Sequence, residues 1–141
     1  MFLNQDEHAY LKVRFDPQSI DWFTENLHTI GDSLTRAVIH RYFWMLVTDR
    51  KMSSIKYMDF VEKQLPNEGV EQTVVECLMN LRVCVARFIP TELTRDKKNM
   101  LFDTLVTLLA KEGSPKDSIV DNLFGFLASA ENMRTALGWL E

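Results

Sequence analysis

Val70-Glu71-Gln72-Thr73-Val74-Val75-Glu76-Cys77-Leu78-Met79-Asn80-Leu81-Arg82-Val83-Cys84-Val85-Ala86-Arg87-Phe88-Ile89 lies between Gly69 and Pro90 and decides the fold class. Val70, Val74, Cys77, Leu78, Leu81, Val85 and Phe88 recur at i, i+4, i+7, the spacing of one face of a helix. The stretch predicts a long amphipathic helix, ended by Pro90.

Toward the N-terminus, the punctuation stays helical. Ser53 caps a helix carrying Ile55, Met58, Val61 and Leu65, stopped by Pro66. Asp32 caps another, with Leu34, Val38, Tyr42, Met45 and Leu46. Before it, Asp16-Pro17 reads as an N-cap followed by a first-turn proline. That helix runs through Ile20, Phe23, Leu27 and Ile30, and Gly31 suits its left-handed C-terminal position.

Toward the C-terminus, Thr91 can cap a helix whose stripe is Leu101, Leu105, Leu108 and Leu109, closed by Gly113. Ser114-Pro115-Lys116-Asp117 combines a serine cap, a proline at the first position and an acid near the positive helix end. Ile119, Val120, Leu123, Phe124 and Leu127 come next. A last helix begins near Ser129 and is still running at Trp139-Leu140-Glu141, so the domain is expected to be cut there.

Helices of similar length with short joints make antiparallel hairpins. Starts near Asp16, Ser53 and Thr91 recur at roughly 37 residues, within the range of paired-helix solenoids. The expected fold is therefore mainly α: antiparallel helix hairpins in a HEAT/armadillo-like α-α superhelix. Residues 1–16 differ. In Ala9-Tyr10-Leu11-Lys12-Val13-Arg14-Phe15, Leu11, Val13 and Phe15 share one face, with Lys12 and Arg14 on the other. Phe2-Leu3 could pair with this strand, but a lone hairpin is marginal in water. Residues 1–16 are thus expected to be a β-hairpin remnant that ends a preceding β-domain, and residues 17–141 a helical domain truncated at its C-terminal end.

The chain has 141 residues, 46% hydrophobic and 26% charged, in the ordinary globular range for one domain. Sixteen basic against twenty acidic residues, interspersed, give a net charge of −4. That balance argues against nucleic acid as a partner, which needs a clustered basic surface. No apolar run approaches the roughly 20 residues needed to cross a bilayer, and no basic region followed by an apolar core opens the chain. Cys77 and Cys84 stand two turns apart, about 10 Å along one helix, too far for a disulfide. Both are expected to be buried free thiols, which suits a reducing compartment and a cytoplasmic location.

The chemistry of a self-contained enzyme is missing. His8, His28 and His40 are the histidines, and none belongs to an H-E-x-x-H helix. There is no nucleophile elbow and no phosphate-cradling glycine loop. His40, in an aromatic helix, reads as packed. Tyr42-Phe43-Trp44 covers most of a helix circumference and reads as core, with an interface to another domain as the sharper alternative. Asp32 and Arg36 can form an i, i+4 ion pair. Arg36 is the candidate site residue, because its planar fork suits a carboxylate.

The order strand, Asp16, helix, Asp32-Ser33-Leu34-Thr35-Arg36-Ala37, then Trp44 and Asp49 resembles aminopeptidase N-type zinc peptidases. Tyr10-Leu11-Lys12-Val13-Arg14-Phe15-Asp16 is similar to the last strands of that family's small β-domain, and the helices from Pro17 onward resemble its C-terminal helical domain. His40 departs where an aromatic such as Trp is expected, and Met45 where an acid is common. The resemblance implies a non-catalytic bowl closing a peptide chamber, partnered by the catalytic and β-domains and by peptide substrate. It places zinc and the catalytic groups upstream, with no cofactor, metal ligand or catalytic residue in this chain. Arg36 would then touch a peptide end or a domain interface, or brace the fold. Uncovered faces could drive self-association. The competing expectation is a stand-alone helical-repeat module that binds a partner protein through its concave face.

Overall fold

The computed structural model describes residues 12–138. These form seven α-helices with short 3-10 and π turns, and among them there is no strand. The hairpin expected over Phe2-Leu3 and the start of Ala9–Phe15 lies outside the described residues. Residues 12–16 form no helix or strand, and their burial alternates: Val13 is buried, Phe15 partly so, while Lys12 and Arg14 are exposed. The chain divides into two compact units, Met1–Thr73 and Val74–Glu141.

In the first unit, α1 (Pro17–Asn26), α2 (Ser33–Thr48) and α3 (Ser54–Gln64) start at the expected residues. Asp16 accepts from Ser19 N at 2.9 Å, Asp32 from Thr35 N at 2.9 Å and Ser53 from Lys56 N at 3.1 Å. Each cap satisfies a donor that the first helical turn leaves orphaned. The end of α1 differs from expectation. It tightens into a 3-10 turn at Leu27–Thr29, and Gly31 does not take a positive φ. Leu27 is buried, and the 3-10 turn satisfies the last carbonyls that a left-handed glycine would otherwise serve.

Helix α3 packs on both α1 and α2. Lys56 Nζ meets Asp21 Oδ1 at 2.9 Å, and Lys63 pairs with Glu25 further along. Numbers rise together along α1 and α3, so these two run the same way and α2 carries the chain back. The core is aromatic. Phe43 stacks on Phe60 with centroids 4.0 Å apart, and His40 lies 5.0 Å from the same ring. Phe15 packs against Phe23 and Phe43, at 5.1 and 5.7 Å. Val13, Val38 and Tyr42 extend this cluster, so the segment before α1 is anchored on α2. Tyr42 and Phe43 are core as expected, whereas Leu34 is exposed.

The second unit contains most of α4 (Glu71–Val83), then α5 (Thr91–Leu109), α6 (Lys116–Leu123) and α7 (Ala130–Leu137). The predicted helix over Val70–Ile89 forms, but Cys84–Phe88 widens into a π turn. The wider turn shifts the phase of the stripe: Cys84 and Val85 are buried together, and Phe88, expected in the core, is 46% exposed. Leu101, Phe102, Leu105, Leu108, Ile119, Leu123 and Phe126 are buried. Cys77 and Cys84 are free and buried, and burial pushes the Cys84 thiol up to about 12.

Two start signals act differently from expectation. Thr91 is the first helical residue, and Pro90 occupies the cap position. Ser114 does not cap α6. Its hydroxyl turns back to donate to the Leu108 and Lys111 carbonyls, the first at 2.6 Å. Those carbonyls lie at and just past the end of α5, and Gly113 at φ 81° turns the chain between them and α6. Ser129 does cap α7, accepting from Asn132 N at 3.1 Å. α7 ends at Leu137, where the Gly138 N–H bonds back to Arg134 and Ala136. The expected continuation through Trp139-Leu140-Glu141 lies outside the described residues.

Candidate functional site

Arg36 sits in the first turns of α2, where the Asp32 cap fixes the helix start. The pair expected between Asp32 and Arg36 is not the one that forms. The Asp32 carboxylate is taken up by the Thr35 N–H and hydroxyl, which hold it below its ordinary range. Arg36 reaches instead to Glu68, in the segment joining α3 to α4. Nε meets Oε2 at 3.0 Å and Nη2 meets Oε1 at 3.0 Å, a two-pronged fork. Nη1 donates to the Ile30 carbonyl at 2.8 Å and to that of Gly31 at 3.3 Å. One guanidinium thus ties together the α1–α2 connection, α2 and the α3–α4 connection.

The pair is desolvated: the Arg36 side chain is 14% exposed and that of Glu68 3%. Glu68 Oε1 also accepts from Val70 N at 3.0 Å. Burial alone would raise the Glu68 carboxyl, but the hydrogen bonds from Arg36 and the Val70 N–H and the charge of Arg36 outweigh it and leave it below its ordinary value. His40, one turn on from Arg36, is buried. Burial pulls its imidazole down to about 4, with Glu68 opposing and Arg36 adding to the effect. At neutral pH an ion pair therefore lies beside an uncharged, packed His40, in agreement with the packed role expected for it.

Gln64 forms a second polar tie, buried at the end of α3. Its Nε2 donates to the Thr24 carbonyl at 2.7 Å, and its Oε1 accepts from His28 N at 3.0 Å. Neither Gln64 nor Glu68 stands out in the sequence. The one signal for Glu68 is an acid held between Pro66-Asn67 and Gly69, directly before a helix whose N-terminus attracts negative charge.

Among the described residues, no three His, Cys, Asp or Glu side chains are grouped to hold a metal ion. His28 lies against Gln64 and His40 is packed on Phe60. No helix among the described residues is long and apolar enough to cross a membrane. The arrangement can brace a fold and present surfaces.

No family model matches the chain, and no solved structure matches it. The chain is 32% identical over 77 residues to the Aminopeptidase N of Streptomyces lividans. That stretch covers 52% of this chain and 9% of the length of the other protein. The match is partial and distant, and it supports an aminopeptidase N-related region.

Proposed function

We propose that this chain is a non-catalytic part of the C-terminal helical domain of an aminopeptidase N-type zinc peptidase, where it helps close the chamber over the active site. The observation that carries the reading is the 77-residue match to Aminopeptidase N, found in a chain with the cap and helix order of that resemblance. The parent enzyme would remove N-terminal residues from peptides, with its zinc and catalytic groups in parts outside these 141 residues. In this reading residues 1–16 end the preceding β-domain and residues 17–141 belong to the helical domain. The parallel α1 and α3 with α2 returning between them suit a HEAT/armadillo-like superhelix, in which alternate helices stack in one layer. The catalytic and β-domains and the peptide substrate are the proposed partners, and a cytoplasmic location suits two buried free thiols.

Arg36 is assigned the bracing role. Its fork is already engaged by Glu68, so it could take a peptide carboxylate only by releasing that partner. Incubating the purified chain with leucine p-nitroanilide and zinc tests the division of labour. No hydrolysis and no stoichiometric zinc are expected. Zinc-dependent turnover by this chain alone would move the catalytic centre into it and overturn the reading.

A further inference from the structure

A groove of about 550 Å³ runs between α5 and α7 in the second unit. Arg95, Asn99 and Asp103 stand on successive turns of α5 along it, Phe102 forms part of its floor, and Asn132 and Glu131 line the α7 side. The two asparagines are joined by a single hydrogen bond, Asn132 Nδ2 to Asn99 Oδ1 at 2.9 Å. Asn132 is 6% exposed, and its backbone N–H is bound by Ser129. A carboxamide carries two donor hydrogens and one acceptor oxygen. The bond between the two therefore leaves Asn99 Nδ2 to donate and Asn132 Oδ1 to accept. That is the complement of one peptide unit, which offers one C=O and one N–H.

The charges along α5 fit the ends of such a ligand. Arg95 and Asp103 are two turns apart, about 12 Å along the axis. Three to four extended residues span about that length at ~3.3 Å each. Glu131 adds acidity beside the pair.

We propose that this groove binds a short extended peptide, with a central peptide unit on Asn99 and Asn132, its carboxylate at Arg95 and its ammonium at Asp103. The proposal does not rest on the aminopeptidase reading, because a stand-alone interaction module would carry the same groove. It involves binding without hydrolysis.

The test is a titration of the isotopically labelled 141-residue chain with tetra-alanine, followed by amide and side-chain NMR shifts. Saturable shifts are expected at the Asn99 and Asn132 carboxamides, with a dissociation constant on the order of 1 mM for so small a ligand. Asn99→Ala should weaken binding about fivefold, the loss of one net hydrogen bond. Tetra-alanine amide should bind more weakly than the free acid, and Arg95→Gln should abolish that difference while leaving the fold intact. No shift at either carboxamide up to roughly 10 mM would overturn the proposal. So would equal affinities of wild type and Asn99→Ala, or of free acid and amide.

Discussion

Cutting the tie between Arg36 and Glu68 should destabilise the first unit by more than any surface change in it. Arg36→Met keeps the aliphatic stem and removes the guanidinium. The Glu68 carboxylate, 3% exposed, is then left with the Val70 N–H alone. An unpaired buried charge of this kind costs about 3 kcal/mol. Glu68→Gln is milder. It keeps hydrogen-bonding atoms and leaves Arg36 its Ile30 and Gly31 carbonyls, so about 1–2 kcal/mol is expected. Because both variants break one interaction, the double variant should cost about 1–2 kcal/mol less than their sum. Urea unfolding at pH 7, read as shifts in midpoint at constant slope, gives all three numbers. His40 adds a local readout, because Arg36 depresses its titration and Glu68 opposes that. Its pKa should rise in Arg36→Met and fall further in Glu68→Gln. Additive losses below about 0.5 kcal/mol, with His40 unmoved, would refute the bracing role.

Acid should destabilise the fold through two groups that push the same way. His40 is held near 4 when folded against an ordinary 6.5, so only the unfolded chain takes up its proton between those values. Stability should therefore fall as pH drops through that window, by up to roughly 3 kcal/mol. The folded Glu68 is also depressed, so its contribution is present above its ordinary pKa and is lost as pH falls through the folded value. His40→Phe, stacked in the same place on Phe60, should flatten the pH dependence above about 4.5, measured as urea midpoint against pH. Phe43→Ala should cost about 3–5 kcal/mol by opening the stack on Phe60, readable in the same assay. Ser114→Ala should cost about 1 kcal/mol and loosen the end of α5, seen as faster amide exchange there. Neither Cys77 nor Cys84 should react with a thiol reagent until the chain is unfolded, since both are buried and Cys84 is held as the thiol.

The helix starts at Asp16, Asp32, Ser53 and Ser129 are legible in the sequence because a side-chain cap acts within three residues of itself. Ser114 looks equivalent and is not. A hydroxyl can donate as well as accept, and here it donates to the carbonyls of Leu108 and Lys111 in place of capping α6. The π turn at Cys84–Phe88 escapes a pattern built on 3.6 residues per turn, which is why Phe88 is expected inside. At the site, Arg36 can be named from its residue type and setting, but its partner cannot. Asp32 is the nearer carboxylate along the helix, yet the cap has a prior claim on it, and Glu68 lies far away in sequence. Contacts of that kind come from how α3 packs on α1 and α2, and no local rule encodes them. The paired Asn99 and Asn132 are invisible in the sequence for the same reason.

The central claim is that these residues belong to a larger zinc peptidase, and the coding sequence upstream of Phe2 tests it most directly. The account predicts an open reading frame that continues upstream and carries H-E-x-x-H with a downstream Glu. An in-frame stop followed by a genuine start at Met1 would contradict it and leave a stand-alone binding module as the better description.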